Sequence, residues 1–368
     1  MVKLALYGDL HLSERSPRYT HALNVLDDCL NIAMQHGVTV HVFLGDVFEG
    51  DPTPDEYHAF LQRVYRLIEH NSIVCIVRGN HESYAAYGFF ELLHPMIRVA
   101  WNDFLDVRLG AARLLLVPYP VRYRPPFHTV DQDTISGSIR ASAVLIADKI
   151  RTTVAFDAKP VLVLGHLSIE GLTTRDMDFE RHSPNEVVVP LEAFAPAALT
   201  KVGHIHKAQQ LTGKVGSVGS LYRCSFAEAD DLKVFSLVTI ADDGTITDEA
   251  IPSPCRGMCE FRVALDDLVP ATLATFTAAA EAGNEIKIVV SMDSTDTARY
   301  DPTVFDPIRA IAPLLVVEKD VRPVQRVRAP ELKPDMDLAE EFFAWCRATD
   351  ISLLDRVTGI KEKLEELA

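Results

Sequence analysis

Five apolar runs of the sequence end in a glycine that is followed by side chains carrying oxygen or nitrogen ligands. These side chains are Asp9 and His11, Asp46, Asn80 and His81, His166, and His204 and His206. Carboxylate, imidazole and carboxamide groups together suit manganese, iron or zinc, and the lack of thiolates among them argues against a structural zinc site. Because open α/β sheets place their chemistry at the carboxyl ends of their strands, we expect the five turns to form one metal site there.

Two metal ions at such a site would support one kind of reaction. Ions about 3.5 to 4 Å apart activate a water molecule and stabilise the leaving oxygen of an in-line phosphoryl displacement. One carboxylate has to bridge the ions, and a histidine that binds neither ion can protonate the leaving alkoxide. A single Asp-x-His or His-x-His pair is common in proteins without metals, whereas five such turns in this order are not. The set therefore predicts a two-metal site that hydrolyses phosphodiesters.

The sequence around the turns predicts a parallel sheet with crossover helices. Residues 19–36 and the segment that starts at Pro54 have the apolar spacing of helices, and they alternate with buried-strand patterns at residues 38–44 and 73–77. Such an order gives parallel strands with right-handed connections, so the expected fold class is α/β. Further strands are predicted at residues 107–109, 114–117, 161–164, 187–189, 215–221 and 234–240, and a long helix at residues 138–155.

The length of 368 residues predicts more than one domain, since single cores seldom exceed about 250 to 300 residues. We expect a first domain at residues 1–254, which carries all five turns, and a small α+β domain at residues 255–321. Residues 322–335 are polar and contain prolines, which predicts a linker. Residues 336–368 have the pattern of two short helices, which predicts a helical tail that either docks on a partner or folds back onto the core.

The composition is that of a globular protein with a strong acidic balance. Hydrophobic residues make up 48% of the chain and charged residues 24%, which excludes a disordered chain. No stretch approaches the ~20 apolar residues of a membrane span, and Met1-Val2-Lys3 leads into a strand rather than a signal peptide, so we expect a cytoplasmic protein without a membrane partner. The net charge of −16 speaks against a general polyanion-binding surface, although bound cations and a local basic patch reverse the sign where a substrate lies.

At the five turns the sequence resembles the calcineurin-like metallophosphoesterases. The family motifs Asp-x-His, Gly-Asp-x-x-Asp/Glu, Gly-Asn-His-Asp/Glu, Gly-His and Gly-His-x-His correspond here to Asp9-Leu10-His11, Gly45-Asp46-Val47-Phe48-Glu49, Gly79-Asn80-His81-Glu82, Gly165-His166 and Gly203-His204-Ile205-His206. The resemblance implies a four-layer α/β/β/α sandwich. It also implies one metal held by Asp9, His11, Asp46 and His206, and a second held by Asp46, Asn80, His166 and His204. Asp46 would be the bridge, and His81 the unligated histidine that faces the leaving group.

Within that superfamily the chain is similar to the SbcD-type nuclease subunits of DNA repair complexes or phage DNA-processing complexes. The similarity lies in residues 203–207, residues 219–228 and Pro118-Tyr119-Pro120, and in the order of core, cap, linker and tail. It implies a DNA exonuclease on duplex ends, with endonuclease activity on single strands, that works as a homodimer with an SbcC-type coiled-coil ATPase. The cap would help to bind DNA, and the tail would dock on the ATPase. Gly8, where a serine is common, departs from the family pattern.

Candidate DNA contacts lie beside the turns. Arg122, Arg124 and Lys207 are positioned in the sequence to contact phosphates, and Tyr119 or Tyr123 to stack on a base. For the cofactor we expect two divalent ions, manganese first, with magnesium, iron or zinc as alternatives. Two other functions stay open at this point: a metallophosphoesterase of a small phosphodiester or phosphomonoester on the same core, and a scaffold that keeps the fold without catalysis.

Overall fold

The computed structural model describes residues 1–83, 87, 89–110, 112–120, 135–155, 159–173, 186–323 and 344–345. The strands are, in chain order, β1 (Val2–Tyr7), β2 (Val40–Leu44), β3 (Ile73–Val77), β4 (Ile97–Ala100), β5 (Leu105–Leu109), β6 (Ala112–Val117), β7 (Val161–His166), β8 (Ser168–Ile169), β9 (Val188–Val189), β10 (Leu199–Gly203), β11 (Gln209–Gln210), β12 (Val215–Ser217), β13 (Val234–Ile240), β14 (Ile246–Pro252), β15 (Met258–Ala264), β16 (Glu285–Asp293) and β17 (Leu315–Arg322). The helices are α1 (Tyr19–Gln35), α2 (Pro54–Glu69), α3 (Phe90–Leu93), α4 (Ile135–Ala155), α5 (Pro270–Glu281) and α6 (Asp306–Arg309).

Twelve of these strands form two six-stranded sheets. The first sheet has the order β14-β13-β1-β2-β3-β4, in which β1 to β4 are parallel and β13 and β14 add antiparallel pairs at one side. The second has the order β11-β12-β10-β7-β6-β5, with a parallel centre and an antiparallel strand at each edge. Each parallel centre brings the carboxyl ends of its strands to one edge of the sheet.

The two sheets pack face to face, and helices cover their outer faces. Leu4 of β1 is buried with Leu114 of β6 in the core between the sheets. Tyr7 of β1 belongs to another core, which it shares with Phe60 of α2. Ile150 of α4 packs into a third core against the second sheet. The order of layers is therefore helix, sheet, sheet, helix, and the expected four-layer α/β/β/α sandwich is confirmed.

The start of α2 is fixed by a capping box that also contacts the loop after β1. The Thr53 hydroxyl accepts a hydrogen bond from the Glu56 N–H at 3.2 Å, and the Glu56 carboxylate accepts one from the Thr53 N–H at 2.8 Å. The other Glu56 oxygen accepts the Glu14 N–H at 2.7 Å. One buried acid thus caps the helix and holds the loop that follows the first predicted ligand turn.

The longest helix in the described part of the chain is α4, with 21 residues. Charged residues such as Asp148 and Lys149 interrupt its outer surface. None of the described helices combines the length and the apolar character that crossing a membrane requires.

The described chain forms two compact units. One contains residues 1–261, 270–288 and 305–316, and the other contains residues 262–269, 289–304 and the described residues from 317 onward. Strands β15, β16 and β17 form a three-stranded sheet in that order. The bounds proposed from the sequence for a first domain (1–254) and a cap (255–321) stay predictions. The predicted linker (322–335) and tail (336–368) lie outside the described residues, apart from 322–323 and 344–345.

Candidate metal centre

The five ligand turns meet at the carboxyl ends of the central strands of both sheets. Asp9 and His11 follow β1, Asp46 follows β2, and Asn80 and His81 follow β3 in the first sheet; His166 ends β7, and His204 and His206 follow β10 in the second. The meeting of these turns is what the sequence pattern predicted. Their side chains form two neighbouring groups, each with the donors that a divalent cation needs.

Asp9, His11 and His206 form the first group. One ligand atom from each lies within 4.8 Å of the others. The Nε2 atoms of His11 and His206 face each other at 2.9 Å. Two imidazole nitrogens and a buried carboxylate that converge in this way fit a divalent ion of the manganese, iron or zinc type.

Asp46, His166 and His204 form the second group, again with ligand atoms within 4.8 Å of one another. The Asn80 carboxamide oxygen lies between the two histidines, 2.9 Å from His166 Nε2 and 2.8 Å from His204 Nδ1. Asp46 also belongs to a group with His11 and His81, so that its carboxylate lies between the first and the second group. This arrangement suits two ions that share one carboxylate.

The nitrogen of each imidazole that points away from the centre has an acceptor of its own. His11 Nδ1 lies 2.5 Å from Glu49, and His206 Nδ1 lies 3.0 Å from Glu228. His204 Nε2 contacts Glu186, and His166 Nδ1 contacts the Leu44 carbonyl at 2.6 Å. Such outer partners fix the orientation of an imidazole and raise its basicity as a ligand.

None of these three acids was predicted from the sequence to have a role at the site. Glu49 had a visible signal, because it closes the Gly-Asp-x-x-Glu motif, and Glu228 ends the segment at residues 219–228. Glu186 had none, since it follows a polar stretch without a motif. The Glu186 carboxylate reaches both His204 and the Ser168 hydroxyl.

Backbone strain is concentrated at the candidate ligands. Of the described non-glycine residues, five have positive φ, and four of them are Asp9 (37°), His11 (44°), Asp46 (47°) and His204 (84°). Such conformations cost on the order of 1 to 3 kcal/mol each and persist only where the surroundings hold them. Here the Asp46 Oδ1 accepts the N–H groups of residues 80 and 81 at 2.8 and 3.0 Å. The turns are therefore held in place by the protein's own hydrogen bonds.

Two of the turn glycines are required by close packing at the centre. A Cβ on Gly79 would lie 2.0 Å from the Asp46 Oδ1, and a Cβ on Gly45 would lie 2.2 Å from the His166 ring. Gly45 also has a φ of +91°, which other residues rarely adopt. Glycine at these positions lets the strand ends approach closely enough for their ligands to meet.

Residues 2–208 match the calcineurin-like phosphoesterase family, Metallophos, and so more than half of the chain is covered. The chain belongs to this family. As a calcineurin-like phosphoesterase it is a hydrolase that acts on phosphoesters, and the coarse activity expected from the ligand turns is confirmed.

Among curated proteins, this calcineurin-like phosphoesterase is similar to the SbcD component of the SbcCD nuclease from Escherichia coli, strains K12 and O157:H7. Each is 26% identical over an alignment of 236 residues, and the match covers 59% of this chain and 59% of the relative. The alignment thus spans about three fifths of these relatives' length. Among solved structures, a dimetal phosphatase from Danio rerio matches 68% of this chain and 99% of its own, with 13% identity and a TM-score of 0.43.

The electrostatics of the phosphoesterase centre keep the Asp46 carboxylate charged. Burial by itself lowers the pKa of His166, but the Asp46 carboxylate outweighs it and raises that pKa to about 9. Burial also disfavours the charged form of Asp46, yet His166 and His11 hold the pKa of this carboxyl well below its usual range. The pKa of His206 is raised to about 11, because its contacts with Cys224 and Glu228 outweigh burial. The charged carboxylate oxygens of Asp46 can therefore bind a cation directly.

Of the five candidate DNA contacts, two fall in the described part of the chain. The Tyr119 ring lies 5.3 Å from the His204 ring and 5.9 Å from the His166 ring, centroid to centroid. Lys207 is exposed directly after His206. Arg122 and Arg124, together with Tyr123, lie outside the described residues.

Proposed function

We propose that this phosphoesterase is a two-metal phosphodiesterase whose substrate is DNA. The first ion would be held by Asp9, His11, Asp46 and His206, and the second by Asp46, Asn80, His166 and His204. The observation that carries this assignment is the position of the Asp46 carboxylate between the two ligand groups. Manganese is the proposed metal, with magnesium, iron or zinc as alternatives, because the donors are imidazole, carboxylate and carboxamide.

The histidine that protonates the leaving group would be His81. When bound, the two ions supply Lewis acidity to the phosphoryl oxygens and lower the pKa of an attacking water. His81 is 37% exposed, so it is open to a substrate, and its Nε2 lies 3.9 Å from the Asp46 Oδ2. Its Nδ1 lies 3.3 Å from Glu49, which orients the ring. In this displacement the water oxygen would form a new bond to phosphorus as the bond to the leaving oxygen breaks. The water would release one proton to solvent, and His81 would give the leaving oxygen a proton.

DNA as substrate is supported by the similarity to the two SbcCD nuclease components. The proposed activity is exonuclease on duplex ends, with endonuclease on single strands. Tyr119 beside the centre and the exposed Lys207 are proposed DNA contacts, as are Arg122 and Arg124. From the resemblance in the order of core, cap, linker and tail, we assign residues 255–321 to DNA binding and residues 336–368 to docking on an SbcC-type ATPase. The complex would be homodimeric and cytoplasmic and would serve DNA repair, recombination or replication.

The test is digestion of end-labelled duplex and single-stranded DNA with manganese or magnesium, with and without the ATPase. The protein with manganese is expected to degrade duplex ends, and Asp46→Asn is expected to abolish this while keeping the fold, because the amide oxygen still accepts the N–H groups of residues 80 and 81. Lys214→Met, at an exposed loop, is the control. Cleavage of bis(p-nitrophenyl) phosphate without cleavage of DNA under any of these conditions would refute the nuclease assignment.

The second candidate function is hydrolysis of a small phosphodiester or phosphomonoester on the same centre. The net charge of −16 favours it, since the molecule as a whole repels a polyanion. Turnover of p-nitrophenyl phosphate that exceeds diester turnover would support this function over the nuclease.

A further inference from the structure

A buried ion pair lies directly behind His206. The Glu228 Oε1 lies 3.0 Å from His206 Nδ1, and the Glu228 Oε2 lies 2.6 Å from the Lys233 ammonium. The Lys233 side chain is 1% exposed and that of Glu228 10%. Lysine is almost never buried so completely without a partner. The pair therefore belongs to the interior that supports the candidate metal centre.

Lys233 holds the same histidine from a second side. Its ammonium donates to the His206 carbonyl at 2.9 Å and to the Ser220 hydroxyl oxygen at 2.7 Å. Ser220 in turn lies 3.2 Å from Glu228 through its own hydroxyl. The backbone and the imidazole of His206 are thus tied to one charged network. Both charged residues lie beyond position 208, where the family match ends.

The geometry leaves His206 one orientation. With Nδ1 donating to Glu228, the ring presents Nε2 to the centre, where it faces His11 Nε2 at 2.9 Å. A buried carboxylate alone would be costly, and the adjacent ammonium compensates its charge. Removal of Glu228 would take away the hydrogen bond to His206 Nδ1 and leave the ring its contact with Cys224. Removal of Lys233 would leave an uncompensated carboxylate beside the ring.

We propose that Glu228 is a positioning residue that orients His206 for the first metal ion, with Lys233 as its counter-ion. This inference rests on the proposed two-metal function. It predicts that the affinity for the first ion depends on Glu228, whereas the affinity for the second ion, held by residues at the ends of β2, β3, β7 and β10, does not.

The experiment is a manganese titration of the metal-free full chain, with bound ions counted by electron paramagnetic resonance. The Asn80→Ala background removes a ligand of the second ion only, so Glu228→Gln in that background reports the first ion alone. We expect Glu228→Gln to lower the affinity for the first ion about 10- to 100-fold. The affinity for the second ion is measured in a His11→Ala background, and Glu228→Gln is expected to change it less than about threefold. Glu249→Gln, on the exposed strand β14, is the matched control.

Thermal unfolding of the same metal-free proteins separates positioning from general stability. Lys233→Met is expected to lower the melting temperature, and the double variant Glu228→Gln, Lys233→Met to recover part of that loss, because residue 228 then carries no unpaired charge. The recovery is only partial, since the buried Asp231 carboxylate, 3.8 Å from the Lys233 ammonium, loses its cation in both variants. The affinity for the first ion should stay low in the double variant. Lys233→Arg, which keeps the charge, should retain more affinity than Lys233→Met.

Three results would overturn the inference. The first is that Glu228→Gln binds the first ion as tightly as the native chain does. The second is that the double variant recovers both its affinity for the first ion and its stability. The third is that Glu228→Gln lowers the affinity for both ions equally, which would show a merely structural effect. A native chain that binds no manganese would refute the proposed two-metal function itself, an outcome that is distinct from the other three.

Discussion

Arg78 and Tyr119 are joined by two hydrogen bonds that run in opposite directions. The Tyr119 N–H donates to the Arg78 carbonyl at 2.9 Å, and the Arg78 guanidinium donates to the Tyr119 carbonyl at 2.5 Å. The same guanidinium donates to the carbonyls of Trp101 and Gly79, each at 2.8 Å. Arg78 follows β3 of the first sheet and Tyr119 follows β6 of the second. One buried arginine therefore connects the two sheets at the edge where the ligands meet.

Replacement of Arg78 by methionine is expected to lower the free energy of unfolding by about 2 to 4 kcal/mol, because several buried carbonyls lose their donor. Urea unfolding measures this loss, and hydrogen exchange at residue 119 reports the freed loop. Arg98→Met, at an exposed position of the neighbouring β4, is the control and should change stability by less than about 0.5 kcal/mol. Equal stability of the two variants would contradict the bridging role.

Replacement of His81 by alanine is expected to slow cleavage of DNA about 10²- to 10⁴-fold, since general acid catalysis contributes that much when the leaving group is an alkoxide. Bis(p-nitrophenyl) phosphate should be affected far less, because nitrophenolate leaves without a proton. Steady-state rates on both substrates test this, and manganese binding should remain. His58→Ala, at an exposed site on α2, is the control. Equal losses on both substrates would exclude His81 as the proton donor.

Replacement of Glu186 by glutamine is expected to lower the affinity for the second metal ion about 10- to 100-fold. The reason is that His204 loses the carboxylate that contacts its Nε2. The manganese titration that counts both ions measures the change, and the first ion should be retained. Glu192→Gln, at an exposed position after β9, is the matched control. If Glu186→Gln instead lowered the affinity for the first ion, the pairing of acids with ions would be reversed.

His41 makes stability dependent on pH below neutrality. It is fully buried in β2, where its Nδ1 lies 2.9 Å from the Tyr7 hydroxyl, and burial lowers its pKa from 6.5 to about 4. Between these values the unfolded chain takes up a proton that the folded protein does not, so the free energy of unfolding falls as the pH falls from 6.5 towards 4. Above pH 6.5 the contribution of His41 is fully present.

Comparison with His41→Asn isolates this contribution from that of the other histidines. Between pH 7 and pH 5 the native chain is expected to lose about 2 kcal/mol more than the variant. Urea unfolding at the two pH values gives the difference, with His58→Asn as the exposed control. Identical pH dependence of the native chain and His41→Asn would show that His41 takes up a proton as readily in the folded protein as in the unfolded chain, which would contradict the lowered pKa.

Elements with a local cause were predicted from the sequence. Strand β3 was expected at residues 73–77 and occupies Ile73–Val77, and β13 was expected at residues 234–240 and occupies Val234–Ile240. Their apolar, β-branched residues are buried, so that composition alone indicates a strand. The helix that was expected from Pro54 begins there because of its capping box.

Elements whose cause lies elsewhere in the chain were missed. Strand β14 (Ile246–Pro252) is mostly exposed and contains Asp248 and Glu249, which disfavour a strand. It forms through a seven-residue antiparallel pairing with β13. The acids behind the histidines were missed for the same reason, since a sequence does not show which carboxylate reaches the outer nitrogen of His204. The ligand turns were found because each is a short motif at the end of a strand.

The pairing of β1 with β13 sets an order of events during synthesis. Val2 lies opposite Ile240, so the first strand and its partner leave the ribosome at widely separated times. At about 5 to 20 residues per second the interval is roughly 10 to 50 s. During that time the edge of β1 is uncovered beside the turn that carries Asp9, and an open strand edge invites pairing with other chains. The sheet that carries Asp9 can be completed only after β13 has emerged from the ribosome, so we expect β1 to be the strand that most needs cover during synthesis.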